Sequence, residues 1–177
     1  MKKILITGGA GYIGSKLATK LLDLNFNVTV VDILKFSGKS LNHLHRRNNF
    51  TFIKGDVRNK KLIQKLIKSN EYIIPLAALV GAPLCEKKKK EAIDTNLKSF
   101  EFLMKKIKKK HKIIYLTTNS GYGVGQKNKY CDENSPLNPI SLYGRTKVQA
   151  EQKVMEFSNA IGFRLATVFG YSYRMRT

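Results

Sequence analysis

The stretch "TGGAGYIGS", Thr7–Ser15, decides how this chain is read. Gly8, Gly11 and Gly14 stand three apart, and Gly9, Gly11 and Gly14 also satisfy the spacing G-x-G-x-x-G. A glycine cluster alone often makes nothing more than a turn, but the surroundings of this one are more specific. "KILIT" (3–7) before it is a short apolar run of the kind a parallel sheet buries, and after it Ile13, Leu17, Leu21 and Leu24 recur at helical spacing. The next apolar run, "VTVVD" (28–32), ends on Asp32. A strand, a glycine turn, a helix and an acid-terminated strand in that order are the pattern of a dinucleotide site. The glycines permit the tight turn, the approach of a pyrophosphate and close helix–sheet packing, and the helix N-terminus favours the phosphates. Asp32 can accept hydrogen bonds from ribose hydroxyls and repels a 2′-phosphate, so NAD is expected and NADP disfavoured. Lys35 and Lys39 nearby weaken that preference a little.

The same alternation continues outward from this turn. "FTFIK" (50–54) reads as a third strand, reached through a polar loop (35–49) with room for a short helix. Leu62, Ile63, Leu66 and Ile67 mark a helix with Asn59 or Asp56 as its N-cap. "YIIPLAA" (72–78) is a fourth strand with its end disturbed by Pro75. Ile93, Leu97, Phe100, Met104 and Ile107 define a long helix, and "KIIYLTT" (112–118) a fifth strand. After a loop over 119–140, Tyr143, Lys147, Ala150, Val154, Phe157 and Ile161 form one helical stripe, followed by a sixth strand, "FRLATVF" (163–169). Strands alternating with helices imply right-handed crossovers and a doubly wound parallel α/β sheet, Rossmann-like, in the order 3-2-1-4-5-6.

Composition narrows the function classes. At 177 residues, one domain is expected. The formal charge of +21 invites nucleic acid as a partner. Yet 26 of the 33 basic residues are lysine, and the clusters at 87–90 and 105–112 have no interleaved aromatic residues for base stacking. Nucleic acid is therefore not the expected partner. Cys85 and Cys131 form no disulfide framework or metal motif, which suits a cytoplasmic protein, and no metal site is expected. The longest apolar stretch, 72–85, is broken by two prolines and a glycine and falls short of the ~20 residues of a membrane helix.

Two segments carry candidate chemistry. In "LYGRTKVQAE" (142–151), Tyr143 and Lys147 stand four apart, a spacing that usually only makes neighbours on a helix. Here the helix follows "YLTTNSGYG" (115–123), the end of the fifth strand, and both lie beside the expected nicotinamide. A nearby ammonium and a cofactor cation would lower the phenol from its usual ~10, making Tyr143 a general base toward a substrate hydroxyl. The Thr118 hydroxyl would orient the same oxygen. In "KGDVRN" (54–59), Asp56 is either a helix N-cap or part of the site.

In sum of motifs the chain resembles the extended short-chain dehydrogenase/reductases, the family of NAD-dependent nucleotide-sugar epimerases and dehydratases. The resemblance runs from Met1 to about Gly170, through "TGGAGYIG", Asp32, "GDV", "LAA" (76–78), Asn96, "TTNSGYG", "PLNPxSxYGRTK" (136–147) and "RLATVFG" (164–170). It implies that Gly8, Gly11, Tyr12, Ile13, Gly14 and Asp32 hold the cofactor, that Asp56 and Val57 hold its adenine, and that Leu76, Ala77 and Ala78 line it. Asn96 would support the site. Thr118, Tyr143 and Lys147 would be the catalytic set, with Lys147 also bonding the nicotinamide ribose. Val80, Asn119, Ser120 and Thr167 would face the substrate. The implied activity is a nucleotide-sugar epimerase working by transient hydride transfer. The alternative is a non-catalytic NAD-binding or sensor module, or an inactive fragment of such an enzyme. The family also implies a homodimer through the helices at 93–110 and 141–161.

The departures from the family pattern are informative. Pro75 replaces a common histidine before "LAA". Asn119 and Ser120 stand where sugar dehydratases carry Asp-Glu, so the dehydratase reading is disfavoured. Arg164-Leu165-Ala166-Thr167 replaces the common R-Y-F-N. Family members continue for over a hundred further residues. The expected division is therefore an NAD-binding domain with its Tyr/Lys helix over 1–170 and the truncated start of a substrate-binding region over 171–177, with the C-terminal substrate domain absent.

Overall fold

In a computed structural model of the chain, which describes residues 1–36, 38–125 and 129–175, six strands form one parallel sheet. They are β1 (Lys3–Thr7), β2 (Asn27–Asp32), β3 (Phe50–Lys54), β4 (Tyr72–Pro75), β5 (Lys112–Thr118) and β6 (Ala160–Leu165), in the order β3-β2-β1-β4-β5-β6. The expected doubly wound order is the observed one. Residues 176 and 177, in the expected last segment, and Ser37 and 126–128, in expected loops, lie outside the described residues.

Period-two alternation sends neighbouring side chains of a strand to opposite faces, and both faces are covered. Ile4, Ile6, Val28 and Val30 pack against Ala18 and Leu22 of helix α1 (Tyr12–Asp23), with Leu41 and Leu44 of a short 3-10 helix, Lys39–Leu44. Leu5, Val31 and Ile73 pack on the other face against Ile63, Leu66 and Ile67 of α2 (Lys60–Ser69). β1 is central, with Ile4 opposite Val28 on one side and Tyr72 on the other. The order of strands reverses between β1 and β4, and it is there, beyond the carboxyl ends, that such a sheet opens a crevice.

Several boundaries differ from expectation. β4 ends at Pro75 and does not run to Ala78: the chain leaves the ladder with Leu76 N–H donating to Thr7 O at 2.9 Å and Ala77 N–H to Thr7 Oγ1 at 3.3 Å. Gly81, at φ +96°, then turns it into a helix the apolar spacing did not announce, α3 (Ala82–Lys87). The long helix is a composite of α4 (Lys89–Ala92), a wide π-type turn over Ile93–Lys98, and α5 (Ser99–Lys106). Asn59, not Asp56, caps α2, its Oδ1 accepting from Leu62 N–H at 3.1 Å. Helix α6 (Leu142–Met155) stops six residues before Ile161. Asn159 donates from Nδ2 to Lys109 O at 2.6 Å and accepts from Ile113 N–H at 3.0 Å, which starts β6 at Ala160. Ile161 therefore belongs to the edge strand, where it is exposed, and the strand ends at Leu165 instead of Phe169. Among the described residues no helix is long and apolar enough to cross a membrane.

Candidate active site

The glycines of the first turn divide their work. Gly8 has φ +71°, and a Cβ there would lie 2.6 Å from Ala77 N. A Cβ at Gly14 would lie 2.6 Å from Gly9 Cα and 2.7 Å from Gly8 O. These two positions let β1, the turn and α1 close on themselves and on β4. At Gly11 a Cβ would approach only Gly8 O, at 3.1 Å, so its other side is open. Gly11 is also the N-cap of α1 and has no side chain to cap it. An uncapped helix start beside an open glycine is a fit for a pyrophosphate.

Asp32 closes the same turn from β2. Its Oδ2 accepts from Ala10 N–H at 3.0 Å and its Oδ1 from Leu34 N–H at 2.8 Å. Ser40, buried in the 3-10 helix, donates to Ala10 O at 2.9 Å, so Ala10 is held at both its backbone groups. Tyr12 and Ile13 open α1 and are part-buried. Tyr12 also anchors the last described segment: its hydroxyl donates to Gly170 O, and Ser172 Oγ donates to Tyr12 O at 2.6 Å. With Tyr173 stacked on His43 at 3.8 Å between ring centres, this segment folds back across the start of α1.

Val57, Ala77, Ala78, Asn96 and Lys147, all singled out from the sequence, line one small cavity together with Tyr115. Asn96 is buried and grips one residue of the loop after β4, accepting from Leu79 N–H at 2.8 Å and donating to Leu79 O at 2.9 Å. Asp56 pairs with Arg58, which meets both its oxygens, with Nε at 3.0 and 2.9 Å. That guanidinium holds the Asp56 carboxyl below the usual carboxylate range.

Lys147 is buried, and its Nζ donates to Leu116 O at 2.7 Å and lies 4.2 Å from the centre of the Tyr115 ring. Burial pulls its ammonium down to about 7, with the Glu151 carboxylate pulling the other way. Thr118 ends β5 and caps a 3-10 turn over Asn119–Tyr122, its Oγ1 accepting from Ser120 N–H at 3.2 Å. Helix α6 begins directly on that turn. Ser141 caps it, accepting from Gly144 N–H at 3.0 Å, and a Cβ at Gly144 would lie 3.0 Å from Ser120 O. Tyr143, one residue earlier, is part-buried against the cluster of Leu79, Cys85 and Ala92. Asn119 and Ser120 are exposed at the turn, Val80 is exposed on the loop before α3, and Thr167 is exposed beyond the end of β6.

Three residues near this set carry no role in the sequence reading. Tyr115 is buried in β5, and burial pushes its phenol upward. Glu151 follows Lys147 by four residues on α6 and accepts from Arg164 Nε at 2.7 Å. Arg164 of β6 also lies 3.2 Å from the Tyr122 hydroxyl, so the pair ties α6, β6 and the turn after Thr118 together. The available signal was the i, i+4 spacing of Lys147 and Glu151 on a buried face. Among the described residues no group of three or more His, Cys, Asp or Glu side chains could hold a metal ion.

Residues 4–177 match the family model described as the NAD dependent epimerase/dehydratase family. The chain is 35% identical over 125 residues to a UDP-N-acetyl-alpha-D-glucosaminuronate decarboxylase of Bacillus cytotoxicus, covering 70% of this chain and 39% of the relative. It is 33% identical over 162 residues to UDP-glucose 4-epimerase 1 of Oryza sativa subsp. japonica, covering 85% of this chain and 45% of that one. The crystal structure of UDP-glucuronic acid 4-epimerase from Bacillus cereus in complex with NAD superposes with a TM-score of 0.83 at 27% identity, over 97% of this chain and 58% of that structure. The chain thus spans about half the length of the relatives it matches or less.

Proposed function

The chain belongs to the NAD-dependent epimerase/dehydratase family, and we propose that it is the NAD-binding and proton-transfer part of a nucleotide-sugar epimerase. The observation that carries the reading is the buried Lys147 on the same helix as Tyr143, bonded to β5 two residues before Thr118. The open side of Gly11 and the uncapped start of α1 would receive the pyrophosphate, and Asp32 the adenosine ribose. When bound, NAD⁺ supplies the hydride acceptor, and its reduced form the donor. Tyr143 removes the proton from a sugar hydroxyl as that hydroxyl carbon is oxidised, and returns it when the ketone is reduced. Lys147, when protonated, stabilises the phenolate. Thr118 donates to the same sugar oxygen and fixes its position. Reduction from the opposite face inverts the carbon, and release of the ketone would instead make the reaction a net oxidation.

A second reading, a non-catalytic NAD-binding or sensor module, is favoured by one observation, the chain's coverage of only about half of its relatives. Titration with NAD, then with UDP-hexoses and UDP-hexuronates, followed by assay of turnover, separates the two. Turnover that falls by orders of magnitude in Tyr143→Phe, with NAD affinity retained, supports the epimerase. NAD binding without sugar-nucleotide binding or turnover favours the module. Unchanged turnover in Tyr143→Phe removes the tyrosine as base.

A further inference from the structure

The loop after β2 carries opposing signals for the choice of dinucleotide. An acidic residue at the end of this strand takes a ribose 2′-hydroxyl, whereas a cation nearby accommodates a 2′-phosphate. Asp32 supplies the first and Lys35, three residues on, supplies the second. The structure shows what becomes of that cation. Lys35 Nζ lies 2.7 Å from Glu91 Oε1 in α4, and the other oxygen of Glu91 is met by Lys88 at 3.6 Å. α4 follows β4, and β1 lies between β2 and β4, so the pair joins the segments following the two strands that flank the glycine turn. Neither side chain is fully open to solvent, at 30% and 25% exposure.

We propose that Glu91 is a specificity-determining residue for the dinucleotide. By holding Lys35 it withholds that cation, the one of the loop nearest in sequence to Asp32, from a 2′-phosphate. The chain then favours NAD over NADP by two carboxylates, Asp32 at the end of β2 directly and Glu91 of α4 through its hold on Lys35. The inference rests on the reading that the chain binds NAD. Lys39 on the same loop and Arg174, 4.7 Å from the centre of the Phe36 ring, are further cations near it. They are unchanged in the variants below and cancel from their comparison.

The test is calorimetric titration of the wild type, Glu91→Gln, Lys35→Gln and the double variant with NAD and with NADP. Glu91→Gln should bind NADP about tenfold more tightly than the wild type, the scale of one charge-assisted hydrogen bond, with NAD affinity nearly unchanged. Adding Lys35→Gln should abolish that gain, since the freed cation is what the phosphate would use. An unchanged NADP-to-NAD ratio in Glu91→Gln overturns the proposal, as does a gain that survives in the double variant. If the wild type binds NAD and only the ratio fails to move, the role of Glu91 falls alone. If the wild type binds neither dinucleotide, the NAD reading fails and takes this inference with it.

Discussion

Lys147 donates from Nζ to the main-chain carbonyl of Leu116 at 2.7 Å, which ties the helix bearing Tyr143 to the strand ending in Thr118. The bond has a cost, because the ammonium is buried, and burial lowers its pKa from the usual 10.5 to about 7. Between those two values the folded chain has released a proton that the unfolded chain still holds. Stability must then rise with pH across that window, by up to roughly 1.4 kcal/mol per pH unit from this one group. Below about 7 both states are protonated and the contribution is flat. Urea unfolding of the wild type and Lys147→Met at pH 6.5 and pH 9 isolates it: the wild type should gain on the variant as pH rises. A stability difference that is the same at both pH values would contradict the downward shift.

The pair of Glu151 and Arg164 should behave as a unit. Glu151 is buried, and Arg164 is its only ion-pair partner among the described residues. Arg164→Met leaves that buried carboxylate without its ion-pair partner, at a cost of about 3 kcal/mol. Replacing both residues by Met removes the stranded charge and should cost clearly less than the two single changes added together. Denaturant midpoints of the four proteins measure the coupling. Additive costs would mean that the pair does not bind α6 to β6.

The sheet order was legible in the sequence because each strand is a short β-branched or aromatic run bounded by glycine or polar residues, as "KILIT" and "FTFIK" are. The glycine turn was legible because its spacing came with a strand before it and Asp32 after it. What was not legible depends on partners distant in the chain. Ile161 continues the period of α6, and nothing local shows that Asn159 will bond to Lys109 and Ile113 and start a strand instead. Leu76–Ala78 are as apolar as the strand before them, but after Pro75 their N–H groups turn to Thr7. The same limit applied at the site. Position in the sequence puts Lys35 beside Asp32, but its partner Glu91 lies 56 residues away and nothing local announces the contact. The spacing of "KGDVRN" leaves Asp56 between N-cap and site residue and does not show that Arg58, two residues on, takes both its oxygens.

The glycine turn separates folding from binding in a way that two alanine substitutions can measure. At Gly14 a new Cβ would sit 2.6 Å from Gly9 Cα and 2.7 Å from Gly8 O, both backbone atoms that cannot move without opening the turn. At Gly11 it would meet only Gly8 O at 3.1 Å, and a shift of a few tenths of an ångström relieves that contact. Gly14→Ala should therefore lower the melting temperature by several degrees, with a cost of roughly 1–3 kcal/mol for overpacking. Gly11→Ala should melt close to the wild type, since its Cβ points into the space where the pyrophosphate would lie. Its effect should appear as at least tenfold weaker NAD binding by calorimetry. Equal melting temperatures and equal NAD affinities for the two variants would mean that the open side of Gly11 is not where the dinucleotide approaches.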